Sequence, residues 1–295
     1  MLKSLNKLKR EIARGLSSIA LETVKTNYLG LNLVVPMLRG VGRKLIVPDD
    51  PWMSRCLKHQ LEIKPGAVID IGANAGIYLV KLRAIDSERQ YIGFEPSPLC
   101  KYYVSEVIRL NNFKKASCFP LAISNKEEVR ILYATKADDA GASLIEAFKT
   151  EDDLSYSTEV VTVVGDQFLK LLELPDGIST IKIDVEGTEL EVLEGLRETI
   201  KKFKPTFYCE IWTPDSASSA YQQRMTRLEA LFKLLNEYGY VIFGASQDGA
   251  LNEIKNIGAI SGHFRTEYML AHKNDAAAML KAFEAEKGIS VDTPL

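Results

Sequence analysis

The sequence predicts an α/β fold of Rossmann-like type, a mostly parallel seven-stranded sheet with helices on both faces, and three observations predict it. From residue 67 onward short apolar runs alternate with amphipathic segments, the pattern of repeated βαβ units. The first run, Val68-Ile69-Asp70-Ile71, opens into the small-residue turn Gly72-Ala73-Asn74-Ala75-Gly76. The second, Tyr91-Ile92-Gly93-Phe94, ends on a carboxylate, Glu95.

Strands are expected at 67–71, 90–94, 116–119, 180–184, 206–211, 240–243 and 266–271, with helices near 75–85, 98–111, 188–203 and 220–238. For the 188–203 helix, Thr188 with Glu191 three residues on predicts a capping box, and Leu190, Leu193, Leu196 and Ile200 make one apolar face. Two more β-like runs, 129–134 and 159–164, flank a polar stretch at 135–158 that reads either as a lid over a substrate or as a surface insertion. Residues 26–64 read as strands or turns leading into a helix around 52–61. The chain divides into an N-terminal extension (1–60), one catalytic-sized domain (61–275) and a helical tail (276–295).

The N-terminal 20 residues repeat Leu5, Leu8, Ile12, Leu16 and Ile19 at steps of three and four with basic residues between them, an amphipathic helix suited to packing on the domain or a second subunit, or to peripheral contact with an anionic membrane. Ser17, Ser18, Glu22 and Lys25 make it a poor signal peptide. The formal net charge of −2 excludes the strongly basic field of a dedicated nucleic-acid binder. Four cysteines without a C-x-x-C pair suggest neither zinc nor a disulfide framework, and fit a cytoplasmic setting.

The turn after the first strand is the candidate cofactor end. Gly72 and Gly76 let a ligand approach the backbone, and the helix N-terminus beyond offers N–H donors and positive dipole potential. Asp70, Gly72, Asn74 and Gly76 are its candidate binding residues, with Asp70 placed to accept from an ammonium group or to orient the turn. The Gly-x-x-x-Gly spacing departs from the G-x-G-x-x-G that cradles a dinucleotide pyrophosphate, which counts against a nicotinamide-dependent oxidoreductase. Glu95, 25 residues after Asp70, has two acceptor oxygens to match the two hydroxyls of an adenosine ribose. Ala122 and Ser124, in Leu121-Ala122-Ile123-Ser124, offer a surface for an adenine ring.

Lys182, Asp184 and Glu186 alternate with Ile181, Ile183 and Val185, which on an extended chain puts three ionisable groups on one face of a buried strand. Such groups must pair and line the crevice mouth. Asp184 is the candidate base or substrate anchor, Lys182 its positioning partner, and Glu186 and Glu210 supporting acceptors. The three carboxylates could also gather a hard cation, but Lys182 would repel one, so no metal is expected. Among the histidines, His263 in the stretch 258–265 is an alternative base, and His272, at the end of an expected edge strand, is expected to be exposed. Tyr208 and Trp212 flank Glu210 and fit core packing as well as acceptor stacking.

Taken together, Val-Ile-Asp-Ile-Gly-Ala-Asn-Ala-Gly (68–76), Gly-Phe-Glu-Pro-Ser-Pro (93–98), Leu-Ala-Ile-Ser (121–124), Ile-Lys-Ile-Asp-Val-Glu-Gly-Thr-Glu (181–189) with Val192-Leu193, and Cys-Glu-Ile (209–211) resemble the FkbM family of S-adenosylmethionine-dependent methyltransferases. The resemblance spans about residues 65–212. It implies a class I methyltransferase fold, S-adenosyl-L-methionine as cofactor, and methyl transfer to a hydroxyl of a sugar, glycan or other small natural-product acceptor. The first 60 residues carry no motif of that family. A non-catalytic cofactor-binding assembly protein, docking through its N-terminal helix or forming a homo-oligomer, is the alternative.

Overall fold

The computed structural model describes residues 23–38, 41–48, 50–137, 139–146, 154–212, 220–256, 266–285 and 287–293. The expected N-terminal amphipathic helix, the 258–265 stretch with His263, and part of the polar stretch at 135–158 lie outside these residues.

Eight strands form the main sheet. Its parallel half consists of β3 (Ala67–Ile71), β4 (Tyr91–Phe94), β5 (Ala116–Phe119), β9 (Ile178–Ile183) and β10 (Thr206–Glu210). Its other half holds β11 (Tyr240–Ala245), β12 (Leu251–Glu253) and β13 (Glu267–His272). The spatial order is β12-β11-β13-β10-β9-β3-β4-β5, with β13 antiparallel to both its neighbours. All seven expected strands are present, and β12 adds an eighth at the edge. His272 is a correction: β13 lies inside the sheet, so this residue is buried and its Nδ1 accepts from the Asn274 N–H at the start of the last helix.

Both faces of the central parallel strands are covered, which is why they read as short, mostly apolar runs. Ile69, Ile71, Ile181 and Ile183 pack on one side with Val192, Leu193, Leu231 and Leu235. These come from the helices α5 (Glu189–Gly195) and α7 (Tyr221–Glu237), with α6 (Arg197–Phe203) between them in sequence. Val68 and Tyr91 pack on the other side with Leu57, Tyr78, Leu79 and Tyr103 from α1 (Pro51–Ile63), α2 (Ile77–Ile85) and α3 (Pro98–Leu110). The hairpin of β1 (Thr23–Tyr28) and β2 (Leu31–Pro36) joins this second cluster, where the Val34 N–H donates to Asn111 at 2.7 Å. Helix α8 (Lys273–Glu284) lays Phe283 against Trp52 of α1.

The two β-like runs flanking the polar stretch form a separate three-stranded sheet. There β8 (Tyr156–Val164) lies between β6 (Ala122–Ser124) and β7 (Glu128–Ala134), and the one-turn helix α4 (Gly165–Leu169) follows it. The single helix expected at 188–203 is instead α5 and α6, broken at Leu196. Nor does the capping box form. Thr188 makes no side-chain cap, and Glu191 is drawn to Arg227 of α7, a bidentate guanidinium that outcompetes a backbone N–H for the carboxylate.

Candidate active site

The carboxyl ends of β3, β4 and β9 surround a crevice of about 250 Å³ bordered by Gly72, Asn74, Glu95, Ala122, Asp184 and Glu210, among others. The turn after β3 is built by close approach. Gly72 has a φ of +85°, and a Cβ there would stand 1.9 Å from the carbonyl oxygen of Asp184, so only glycine lets the β3 and β9 ends lie this near. Asn74 adopts a left-handed conformation and turns its N–H toward Glu95.

Glu95 is 6% exposed. One carboxylate oxygen accepts from the Asn74 N–H at 2.6 Å and the other from the Ser97 N–H at 2.8 Å. Burial pushes its pKa up to about 7 against the opposing pull of those two donors. Each oxygen keeps a second lone pair.

Beneath the crevice floor, Lys182 and Asp70 are register partners across β9 and β3. The Lys182 ammonium donates to the Gly72 carbonyl at 2.8 Å and stands 3.2 Å from Asp70 and 3.3 Å from Asp184. Burial alone would lower the lysine pKa, but the charges of Asp184 and Asp70 outweigh it and hold the ammonium protonated. Asp70 is wholly buried and also accepts from the Tyr91 hydroxyl at 2.7 Å. Gly93 keeps that path open, because a Cβ on it would meet the Tyr91 hydroxyl at 2.8 Å. The ammonium that Asp70 meets is therefore that of Lys182.

Above the floor, Asp184, Glu186 and Glu210 offer carboxylate oxygens within 4.8 Å of one another. Burial raises the pKa of Asp184, yet Lys182 and a hydrogen bond from Glu210 bring it below the ordinary carboxylate range. Glu210 moves the opposite way, raised by burial and by the Asp184 charge. Two carboxyl groups hydrogen-bonded to each other share one proton, and the opposite directions of the two shifts draw it toward Glu210. The Thr266 hydroxyl donates to Glu210 at 3.0 Å and fixes its orientation.

The expected alternation of charged side chains stops at Asp184. β9 ends at Ile183, and Glu186 lies in a turn with a φ of +54°, which carries it to the rim. Of the residues expected to meet a cofactor, Gly72, Asn74, Glu95 and Ala122 border the crevice. Asp70 lies below it, Gly76 starts α2, and the buried Ser124 hydroxyl faces Asn125. Tyr208 is buried against Tyr78, whereas Trp212 is half exposed. The sequence reading missed Lys44, Asp139 and Leu144, which also border the crevice. Lys44 comes from the irregular region before α1 and carries no motif. Asp139 and Leu144 belong to the polar stretch, where length alone was the signal.

Five parallel strands in the order β5-β4-β3-β9-β10, completed by β13 and β11, with a glycine turn after the first strand and an acid after the second, define a class I methyltransferase architecture. A model of the methyltransferase FkbM domain matches residues 70–242, and the chain belongs to this family of methyltransferases. Methyltransferase sdnD of Sordaria araneosa is 26% identical over 178 residues, 50% of this chain and 66% of that protein, so the chain spans slightly less than two thirds of this relative's length. Among solved structures, methyltransferase FkbM from Methylobacillus flagellatus KT is 14% identical with a TM-score of 0.43, over 70% of this chain and 44% of that one. The Podospora anserina methyltransferase PaMTH1 is 11% identical with a TM-score of 0.41, over 75% of this chain and 76% of that one. Among the described residues no helix is long and apolar enough to cross a membrane.

Proposed function

We propose that the chain transfers the methyl group of S-adenosylmethionine to a hydroxyl oxygen of a sugar, glycan or other small hydroxylated acceptor. The observation that carries this reading is Asp184, 3.3 Å from the Lys182 ammonium, at the mouth of a crevice whose other end is Glu95. The crevice suits the cofactor. The buried Glu95 carboxylate has lone pairs for two ribose hydroxyls, Leu121, Ala122 and Ile123 offer an apolar wall for adenine, and the β3 turn offers backbone groups. S-adenosylmethionine bound there supplies an activated methyl group.

What the chain itself must supply is alignment and removal of the hydroxyl proton. Asp184 accepts that proton as the acceptor oxygen attacks. Lys182 holds the carboxylate in place from below, and burial with the Asp184 charge biases Glu210 toward its protonated form.

Isothermal titration with S-adenosylhomocysteine and, separately, with NADH tests the cofactor assignment on the native chain and on Glu95→Ala. Binding of the first ligand alone, weakened in the variant, is the expected result. Preference for NADH would overturn the reading.

A further inference from the structure

A second cavity, of about 230 Å³, lies on the other side of the turn that carries Glu186. Leu190 of α5, Leu228 and Leu231 of α7, Ile211 and the half-exposed Trp212 make its walls, and Arg224 lies among them. The mechanism above uses none of these side chains. Clefts that enclose whole drug-sized ligands run to ~300–1,000 Å³, so this one is sized for part of a molecule, a hydrocarbon chain or a ring.

The two cavities are not independent. Glu186 borders both, and the segment over it is shared between them: Ser143 lines the apolar cavity, while Ala142 and Leu144 line the crevice. The Ser143 hydroxyl donates to the Glu186 carbonyl at 2.7 Å and pins the segment in place. A molecule with its hydroxyl at Asp184 that extends past Glu186 meets the leucines, Ile211 and Trp212 of this second lining. The lining also carries Arg224, Arg227, Glu186 and Glu189, two charges of each sign, which suits neutral hydroxylated groups rather than a strongly charged ligand.

We propose that this cavity binds an apolar body of the methyl acceptor, so that the substrate class is an amphiphile, a hydroxylated head joined to an alkyl or ring hydrocarbon, rather than a bare sugar. This rests on the methyltransferase reading of the neighbouring crevice. A bare sugar held at Asp184 would leave the exposed part of this lining, Trp212 above all, in contact with water.

The test uses methyl, butyl, hexyl and octyl β-glucosides, below their micellar concentrations, titrated into the protein saturated with S-adenosylhomocysteine. Affinity is expected to rise about three- to fourfold per added methylene. Trp212→Ala and Leu190→Glu should flatten that rise, whereas S-adenosylhomocysteine still binds both variants and so reports that they are folded. Affinity independent of chain length, or a rise unchanged in both variants, would overturn the proposal while leaving the methyltransferase reading standing. Failure of the native chain to bind S-adenosylhomocysteine would sink the reading on which the proposal rests.

Discussion

The ammonium of Lys182 stands 3.2 Å from a carboxylate oxygen of Asp70, a side chain with no exposed surface. The pair is bound into the sheet by register, and Lys182 extends it to Asp184 and to the Gly72 carbonyl.

Removing one member of a buried ion pair strands the other. Lys182→Met is expected to cost about 3–5 kcal/mol of stability by urea denaturation, because Asp70 loses its counter-charge. The double variant Lys182→Met with Asp70→Asn should recover part of that loss. A single variant within about 0.5 kcal/mol of the native chain would show that the pair is not retained in solution.

The Tyr91 hydroxyl is the other donor to Asp70, at 2.7 Å. Tyr91→Phe leaves the packing of the ring intact and removes only that donor. A loss of about 1.5–3 kcal/mol is expected, in the range for hydrogen bonds to charged groups, again read by denaturant unfolding.

Asp184→Asn keeps the size of the side chain and removes its basicity. Methyl transfer to the true acceptor should fall about a hundred- to ten-thousandfold, with affinity for S-adenosylhomocysteine nearly unchanged. Near-normal turnover would reassign the base. Chelator treatment should leave the rate as it was, since the Lys182 ammonium lies 3.3 Å from Asp184 and repels a cation there. A rate that disappears with chelator and returns with magnesium would assign Asp184, Glu186 and Glu210 to a cation.

Glu189 is buried and its pKa is pushed up to about 7, by burial first, against the pull of the Gly187 N–H. A carboxyl raised in the folded state costs stability as pH climbs from the ordinary carboxylate range through 7, because only the unfolded chain ionises it freely. Glu189→Gln should therefore gain on the native chain between pH 5 and pH 8.5, by up to ~3 kcal/mol. Thermal unfolding at the two pH values measures the difference, and an equal effect at both would remove the proposed shift.

Binding of S-adenosylhomocysteine should show a pH dependence of its own. If the ionised form of Glu95 accepts the ribose hydroxyls, affinity rises as pH passes upward through about 7, by no more than about tenfold per unit. Titration at pH 6, 7 and 8 reads this directly, and Glu95→Ala should be flat across the range.

The parallel strands were legible because burial on both faces leaves mostly apolar runs. The charged members of β3 and β9 are Asp70 and Lys182, and their spacing in sequence gave no hint that they are neighbours across the sheet. Glu95 was legible because a strand end fixes its place. The break between α5 and α6 was not, since Leu196 fits a helical face and the reason for the break is tertiary: a Cβ on Gly195 would stand 2.0 Å from the Ser124 carbonyl oxygen, so α5 is pressed onto β6 at its end. The apolar cavity escaped for a similar reason. Leu190, Leu228 and Trp212 lie on three separate segments, and nothing in a leucine says whether its neighbour is another side chain or a void.

The position of β13 has a consequence for how the chain is made. It is the last strand, yet it lies between β10 and β11, so neither of those can complete its hydrogen bonding until residues 267–272 have left the ribosome. Up to that moment the growing chain presents two open strand edges, the form of surface most prone to pair with the wrong partner. A stop codon or a stall before Glu267 would leave most of the crevice residues already synthesised and the sheet around them unsealed.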